Sequence, residues 1–107
     1  MKQIDFSKFN ERVLFQKAQN HSDDLGGYIA HWQDYCWLWA NLKPMKCIEK
    51  MQNSHVVKRT LYQITIRLDT KINSKMRILH NKNIFEIRNI LNTENKRFSI
   101  IYALKEG

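Results

Sequence analysis

Four histidines and two cysteines are the side chains of this sequence best suited to hold a metal or attack a substrate. Their spacing argues against both. His21, His31, His55 and His80 stand in four separate stretches, and neither HxxxH nor HExxH occurs. Cys36 and Cys47 form no CxxC pair, and a zinc site built from them and two histidines would need distant segments to converge. Histidines on loops or strand surfaces and reduced thiols acting as small hydrophobes need no such convergence. Cys47 lies between Lys46 and Lys50, but a nucleophilic thiol also needs an opposing histidine. Asp23-Asp24 falls in a polar stretch closed by Gly26-Gly27 and reads as turn chemistry rather than an acid–base pair. No GxSxG, Walker or GxGxxG motif is present, and only three glycines exist to cradle a phosphate. The expectation is a protein with no catalytic residue, no cofactor and no metal, and hence not an enzyme.

Charge offers a different chemistry. The net charge is +8, and it is unevenly placed: residues 1–54 carry seven Lys/Arg against six Asp/Glu, residues 55–107 eleven against four. Such a balance suits nucleic acid or an acidic protein. Lys58, Arg59, Arg67, Arg77, Arg88 and Arg97 could form one basic face with aromatics beside it, as on oligonucleotide-binding barrels. The competing reading is that Arg67, Arg77 and Arg88 fill wet strand positions and pair with Asp69, Glu86 and Glu94. Abundant Lys, Asn and Ile also accompany AT-rich coding, whatever the partner.

The elements that must position these groups are strands. Tyr62, Ile64, Ile66 and Leu68 alternate with Gln63, Thr65, Arg67 and Asp69, the period of a half-buried strand. KMRILH and NIFEIRNIL follow, joined by Asn81-Lys82 as a two-residue turn, and RFSIIYAL closes the chain with Phe98, Ile100, Tyr102 and Leu104 on one side. Upstream, Arg12–Ala18 alternates as a first strand, and Gln19–Gly27 reads as a loop. Tyr28–Leu42, with three tryptophans, reads as one long bent strand or two short ones joined by a bulge near Gln33-Asp34. Lys43-Pro44 should end it. Met45–Arg59 places Met45, Ile48 and Met51 at helical spacing on a thin stripe, and is expected to be a short helix or a mobile excursion.

The fold expected is mainly β: a small antiparallel barrel or sandwich of about six strands. Residues 1–11 would be an N-terminal arm and residues 12–107 a single domain with an excursion at about 43–59. Core anchors are expected at Trp32, Tyr35, Trp39, Tyr62, Ile64, Ile66, Phe85, Ile87, Phe98 and Ile100. MKQIDFSKFNER lacks the apolar centre of a signal peptide, and no apolar run reaches membrane-span length, so a cytosolic, non-secreted protein is expected.

Taken in order, these pieces resemble the phage head–tail joining (head-closure, or head–tail adaptor) family. The resemblance runs through Trp32 of AHWQ, Leu38-Trp39-Ala40 and the polar excursion after them. It continues with Tyr62…Thr65-Ile66-Arg67, Met76-Arg77-Ile78, Phe85-Glu86-Ile87, Asn89-Ile90 and Arg97-Phe98-Ser99-Ile100. It spans roughly Arg12 to Leu104; it departs where Asn81-Lys82-Asn83 replaces a glycine common in that turn and where the first strand lacks a preceding glycine. The resemblance implies a barrel-like subunit of a homo-oligomeric ring beneath the portal of a tailed phage, prophage or gene-transfer particle. Such a ring closes the DNA-filled head and docks tail-completion proteins. It is assembled in the bacterial cytoplasm, resides in the particle neck and has no membrane partner. The excursion residues Met45, Lys46, Ile48, Lys50, Met51, His55, Lys58 and Arg59 would then face the channel or a neighbouring subunit. Contact with DNA in transit would be weak and salt-sensitive, since tight binding would hinder passage. The alternative is a small β-barrel nucleic-acid-binding module.

Overall fold

The computed structural model describes residues 9–22, 28–93 and 95–106, with six strands and no helix among them. These are β1 (Glu11–Ser22), β2 (Tyr28–Gln52), β3 (His55–Arg67), β4 (Arg77–His80), β5 (Asn83–Asn92) and β6 (Phe98–Glu106). All pairs are antiparallel, and the sheet closes on itself in the order β1-β2-β3-β6-β5-β4. Closure removes the free sheet edges that would otherwise invite aggregation.

β2 organises the barrel. Its first half pairs with β1 and its second half with β3, and the two ladders meet at Ala40, opposite both Glu11 and Ile66. A straight strand of this length would span about 80 Å, yet the molecule's longest dimension is 53 Å. β2 therefore bends, and two bulges accompany the bend. Tyr35 is the extra residue between Phe15↔Cys36 and Gln16↔Asp34, and Met45 the extra residue between Pro44↔Tyr62 and Lys46↔Leu61.

Several expectations are corrected here. Lys43-Pro44 does not end the strand, because proline's missing N–H is accommodated beside the Met45 bulge. Met45–Arg59 is no helix: it is the far half of a β2–β3 hairpin whose turn, Asn53-Ser54, has φ of 51° and 65°. That is the left-handed pair of a type I′ turn, and Val56-Val57 beyond it supplies β-branched residues that favour extension. Residues 19–22 continue β1 rather than forming a loop, and residues 23–27 lie outside the described residues. Most of the expected N-terminal arm also lies outside them; within it, Glu11 already belongs to β1.

The core is one cluster inside the barrel. Val13, Phe15, Ala40, Ile64, Ile66, Ile78, Phe85, Ile87, Ile101 and Ala103 point inward and are buried. Tyr62 meets Phe85 edge to face at 5.1 Å, a favoured aromatic geometry. Ile72 and Met76, from the loop between β3 and β4, complete the cluster. That loop is built from two successive turns: Asp69 Oδ1 accepts from the Lys71 N–H at 2.9 Å, and Asn73 Oδ1 from the Lys75 N–H at 3.0 Å.

Barrel closure between β1 and β4 rests on only three residue pairs, Leu14↔Leu79, Phe15↔Ile78 and Gln16↔Arg77. A polar relay through the buried Gln16 reinforces it. Gln16 Nε2 donates to Asp34 Oδ1 at 2.7 Å, and Arg77 Nε donates to Gln16 Oε1 at 2.8 Å. One amide thus ties β2, β1 and β4 together. The Arg77 guanidinium lies over the Trp32 ring at 4.4 Å, and desolvation by burial lowers its pKa from the usual arginine value.

Candidate assembly interface

The tryptophans expected in the core are largely outside it. Trp39 is 56% exposed, as is Trp37 on the same face at 55%, which was not among the expected anchors, because the inward positions of this part of β2 are Cys36, Leu38 and Ala40. Trp32 is also exposed, and Tyr35, as the bulge residue, is half-buried. Aromatic content signalled a strand here without revealing which face it would show. In β6 the parity is likewise the reverse of that expected: Ile101 and Ala103 are inward, while Ile100, Tyr102 and Leu104 lie half-buried on the outer face. Phe98 is buried, with the Phe9 ring edge-on to it at 5.6 Å. Ile64, Ile66, Phe85 and Ile87 are buried, and Tyr62 is half-buried against them.

Two outer faces are apolar in consequence. Across β2, β1, β4 and β5, Trp37, Leu14, Leu79 and Ile84 are successive register partners in one row. Across β3, β6 and β5, Leu61 pairs with Leu104 and Ile100 with Leu91, with Tyr102 between them on β6. β1 and β6 stand three strands apart in either direction round the closed barrel, and the two faces approach each other on β5, which carries Ile84 near one end and Leu91 near the other.

The excursion residues come together on the β2–β3 hairpin. Beyond Arg59↔Glu106, β3 has no partner but β2, so the hairpin projects as a two-stranded ribbon. Met51 and Val56 are register partners and are 65% and 57% exposed. Cys47, Glu49 and Lys58 share their side of the ribbon, with Lys58 Nζ 3.8 Å from Glu49. Ile48, Lys50 and His55 are on the other side with Arg59, which is 3.8 Å from Glu86. Lys46 is exposed at the base, beside the exposed bulge residue Met45.

The six cations considered as one basic face are dispersed. Lys58 and Arg59 are on the hairpin, Arg77 is held by Gln16 and Trp32, and Arg88 contacts Glu86 at 3.3 Å. Only Arg67 and Arg97 share a groove. No group of three or more His, Cys, Asp or Glu among the described residues could hold a metal ion. Cys36 is half-buried, and its pKa is raised by desolvation and then by Asp69, with Lys71 opposing; Cys47 is exposed.

The family model for the phage head completion protein matches residues 4–107. The chain belongs to that family. Head completion proteins are structural components of phage particles, not enzymes, and membership assigns this chain a structural role where head meets tail and assembly with other virion proteins. Two solved structures share the family member's fold. A chain in the virion of a native gene transfer agent particle superposes with a TM-score of 0.80, covering 92% of this chain and 94% of that one at 17% identity. Protein SF1141 from Shigella flexneri 2a superposes with a TM-score of 0.69, covering 97% of each chain at 19% identity. No protein of curated function matches significantly.

Proposed function

We propose that this chain is one subunit of a ring that joins the portal of a DNA-filled head to the tail, closing the head and docking tail-completion proteins. The observation that carries the reading is the presence of two separate apolar outer faces, one running through Leu79 and Ile84, the other through Ile100 and Leu91. A cyclic ring needs two different, complementary patches per subunit, because its interfaces are heterologous. The fold shared with a chain of a gene transfer agent virion supports a place in such a particle, whether phage, prophage or transfer agent. The hairpin bearing Met45, Lys46, Ile48, Lys50, Met51, His55, Lys58 and Arg59 is directed at the channel or at a neighbouring subunit, where contact would order it further. Assembly takes place in the bacterial cytoplasm, before the particle leaves the cell.

The decisive experiment deletes the gene from its host element and examines the particles by electron microscopy. DNA-filled or leaking heads without tails are expected, with tails restored by the gene supplied in trans. Normal tailed particles in the deletion strain would refute the reading.

A further inference from the structure

We infer that the β3 edge of one copy's hairpin, His55–Lys58, pairs as an added strand with the β5 edge Asn89–Asn92 of a second copy. Barrel closure leaves each stretch with a backbone edge that no strand covers among the described residues. β5 meets β4 only as far as Arg77↔Glu86, and β3 meets β6 only from Arg59↔Glu106 onward. The hydrogen bonds show which groups these edges present. Thr93 N–H donates to the Phe98 carbonyl of β6 at 2.9 Å, so by alternation Ile90 and Asn92 turn their N–H and C=O groups away from β6. The Ile90 N–H is met there by the Asn89 side-chain oxygen at 2.9 Å. A groove of about 430 Å³ between this edge and the β3–β4 loop keeps it open. On β3, Leu68 N–H donates to the Arg97 carbonyl at 2.9 Å, on the β6 side. Counting back by twos puts Lys58 and Val56 on that same side, beyond the end of β6.

The main chain selects the class of occupant. An edge that alternates N–H and C=O is answered by another extended backbone, whereas phosphates offer acceptors alone. The side chains select a second copy. Successive residues of a strand face opposite sides, so each edge carries one apolar side chain on either face of the sheet. On β5 these are Ile90, packed against the core, and Leu91, on the outer face; on β3 they are Val56 and Val57. Both stretches read polar-apolar-apolar-polar, NILN against HVVK. Val56 is 57% exposed and Leu91 49%, and strand addition covers both. The ribbon's other edge, on β2, is interrupted by Pro44 and the Met45 bulge. One chain cannot pair with itself in this way. The hairpin leaves the barrel where β5 begins, since Arg59↔Glu106 and Phe85↔Lys105 both lie at the end of β6, whereas Asn92 pairs with Ser99 near its start. Ile84 lies at the hairpin end of β5 and Leu91 at the other, so edge pairing and apolar packing join the same two copies head to tail. The contact deepens the ring reading and rests on it only for its place in a particle.

The test is hydrogen exchange read by mass spectrometry on the full chain, from about 1 μM to about 1 mM, alongside sedimentation velocity. As the chain associates, exchange should slow about tenfold or more in both 55–58 and 89–92, because edge amides exchange readily until a strand covers them. Packing of the apolar faces alone covers side chains and leaves these amides exchanging. Val56→Pro and Lys58→Pro each remove an N–H that the β2–β3 ladder does not use. Each should keep a cooperative thermal transition, weaken association about tenfold or more and leave residues 89–92 exchanging at the monomer's rate. The parent's protection pattern decides even if both proline variants unfold. A chain monomeric throughout, protection in one stretch without the other, or protection at 89–92 that ignores concentration would overturn the pairing. So would folded proline variants that associate as the parent does. The particle role is read separately: tailless heads on gene deletion, with no edge protection, would sink this contact alone.

Discussion

Single residues at the barrel closure hold more of the fold than their size suggests. Gln16 is buried and is the shared partner of Asp34 and Arg77, so its removal breaks both hydrogen bonds at once. Asp34 is exposed and Arg77 half-buried, so water can replace the amide at both, and the loss is the net worth of the hydrogen bonds, about 0.5–1.5 kcal/mol each. Gln16→Ala should therefore lower stability by that amount in urea unfolding, and a midpoint within error of the parent would refute the relay. Ala40, opposite both Glu11 and Ile66, tests packing rather than polarity. It is fully buried where two ladders meet, so Ala40→Leu should cost about 1–3 kcal/mol through overpacking. The two cysteines separate by environment. Cys36 is half-buried with a pKa raised above the usual 9.0, foremost by desolvation, while Cys47 is exposed. Iodoacetamide at about pH 8 should modify Cys47 well before Cys36, as followed by peptide mass spectrometry, because the thiolate is the reacting form. The sign for stability follows from the same shift. The fold favours the neutral thiol, so this contribution is complete below the ordinary thiol value and is lost as pH rises through the raised one.

At the scale of elements, legibility tracked how many neighbours a strand needs. β3 from Leu61 onward, β4 and β5 as far as Ile87 follow the expected alternation within a local meander, and Asn81-Lys82 forms the expected turn with φ of 48° and 66°. Past a bulge at Arg88 the parity of β5 reverses, so that Ile90 pairs with the buried Ile101 and Leu91 is exposed. β2 was not legible as one strand. It is two half-strands in series with different partners, and its bulges at Tyr35 and Met45 reset the parity that sequence reading relies on. The bulge expected near Gln33-Asp34 falls one residue later, at Tyr35. Burial of aromatics was misjudged for a related reason: a barrel this small fills its interior with Ile, Val, Phe and Ala, leaving Trp37 and Trp39 outside. The turns carry a prediction of their own. Lys82 holds a left-handed conformation that only glycine adopts freely, at a turn joining two barrel strands. Lys82→Gly should raise global stability by about 0.5–1 kcal/mol, less whatever entropy glycine adds to the unfolded chain. Ser54→Gly relieves the same conformation at the tip of a ribbon outside the barrel. It should slow hydrogen exchange in the hairpin while leaving the global transition nearly unmoved. Equal global effects from the two substitutions would show that hairpin and barrel unfold together.

For the molecule as a whole, the question is whether the two apolar faces meet each other. If Leu79 and Ile84 of one copy pack against Ile100 and Leu91 of the next, damage to either face alone stops propagation, but each damaged copy keeps one working face. Ile84→Lys and Leu91→Lys place a charge on one face each, at exposed positions that the core does not use. Either variant alone should remain monomeric under conditions where the parent chain forms higher oligomers. Mixed in equal amounts, the two should form a stop-ended dimer through the one interface that remains apolar on both sides. An interface between identical patches gives a different pattern, since a variant with its other face damaged would still dimerise with itself and mixing would add nothing. Sedimentation velocity distinguishes these outcomes directly. The dimer in the mixture alone would establish head-to-tail pairing. Self-dimers of one variant, or no association in the mixture when the parent assembles, would remove the basis for a ring built on these faces.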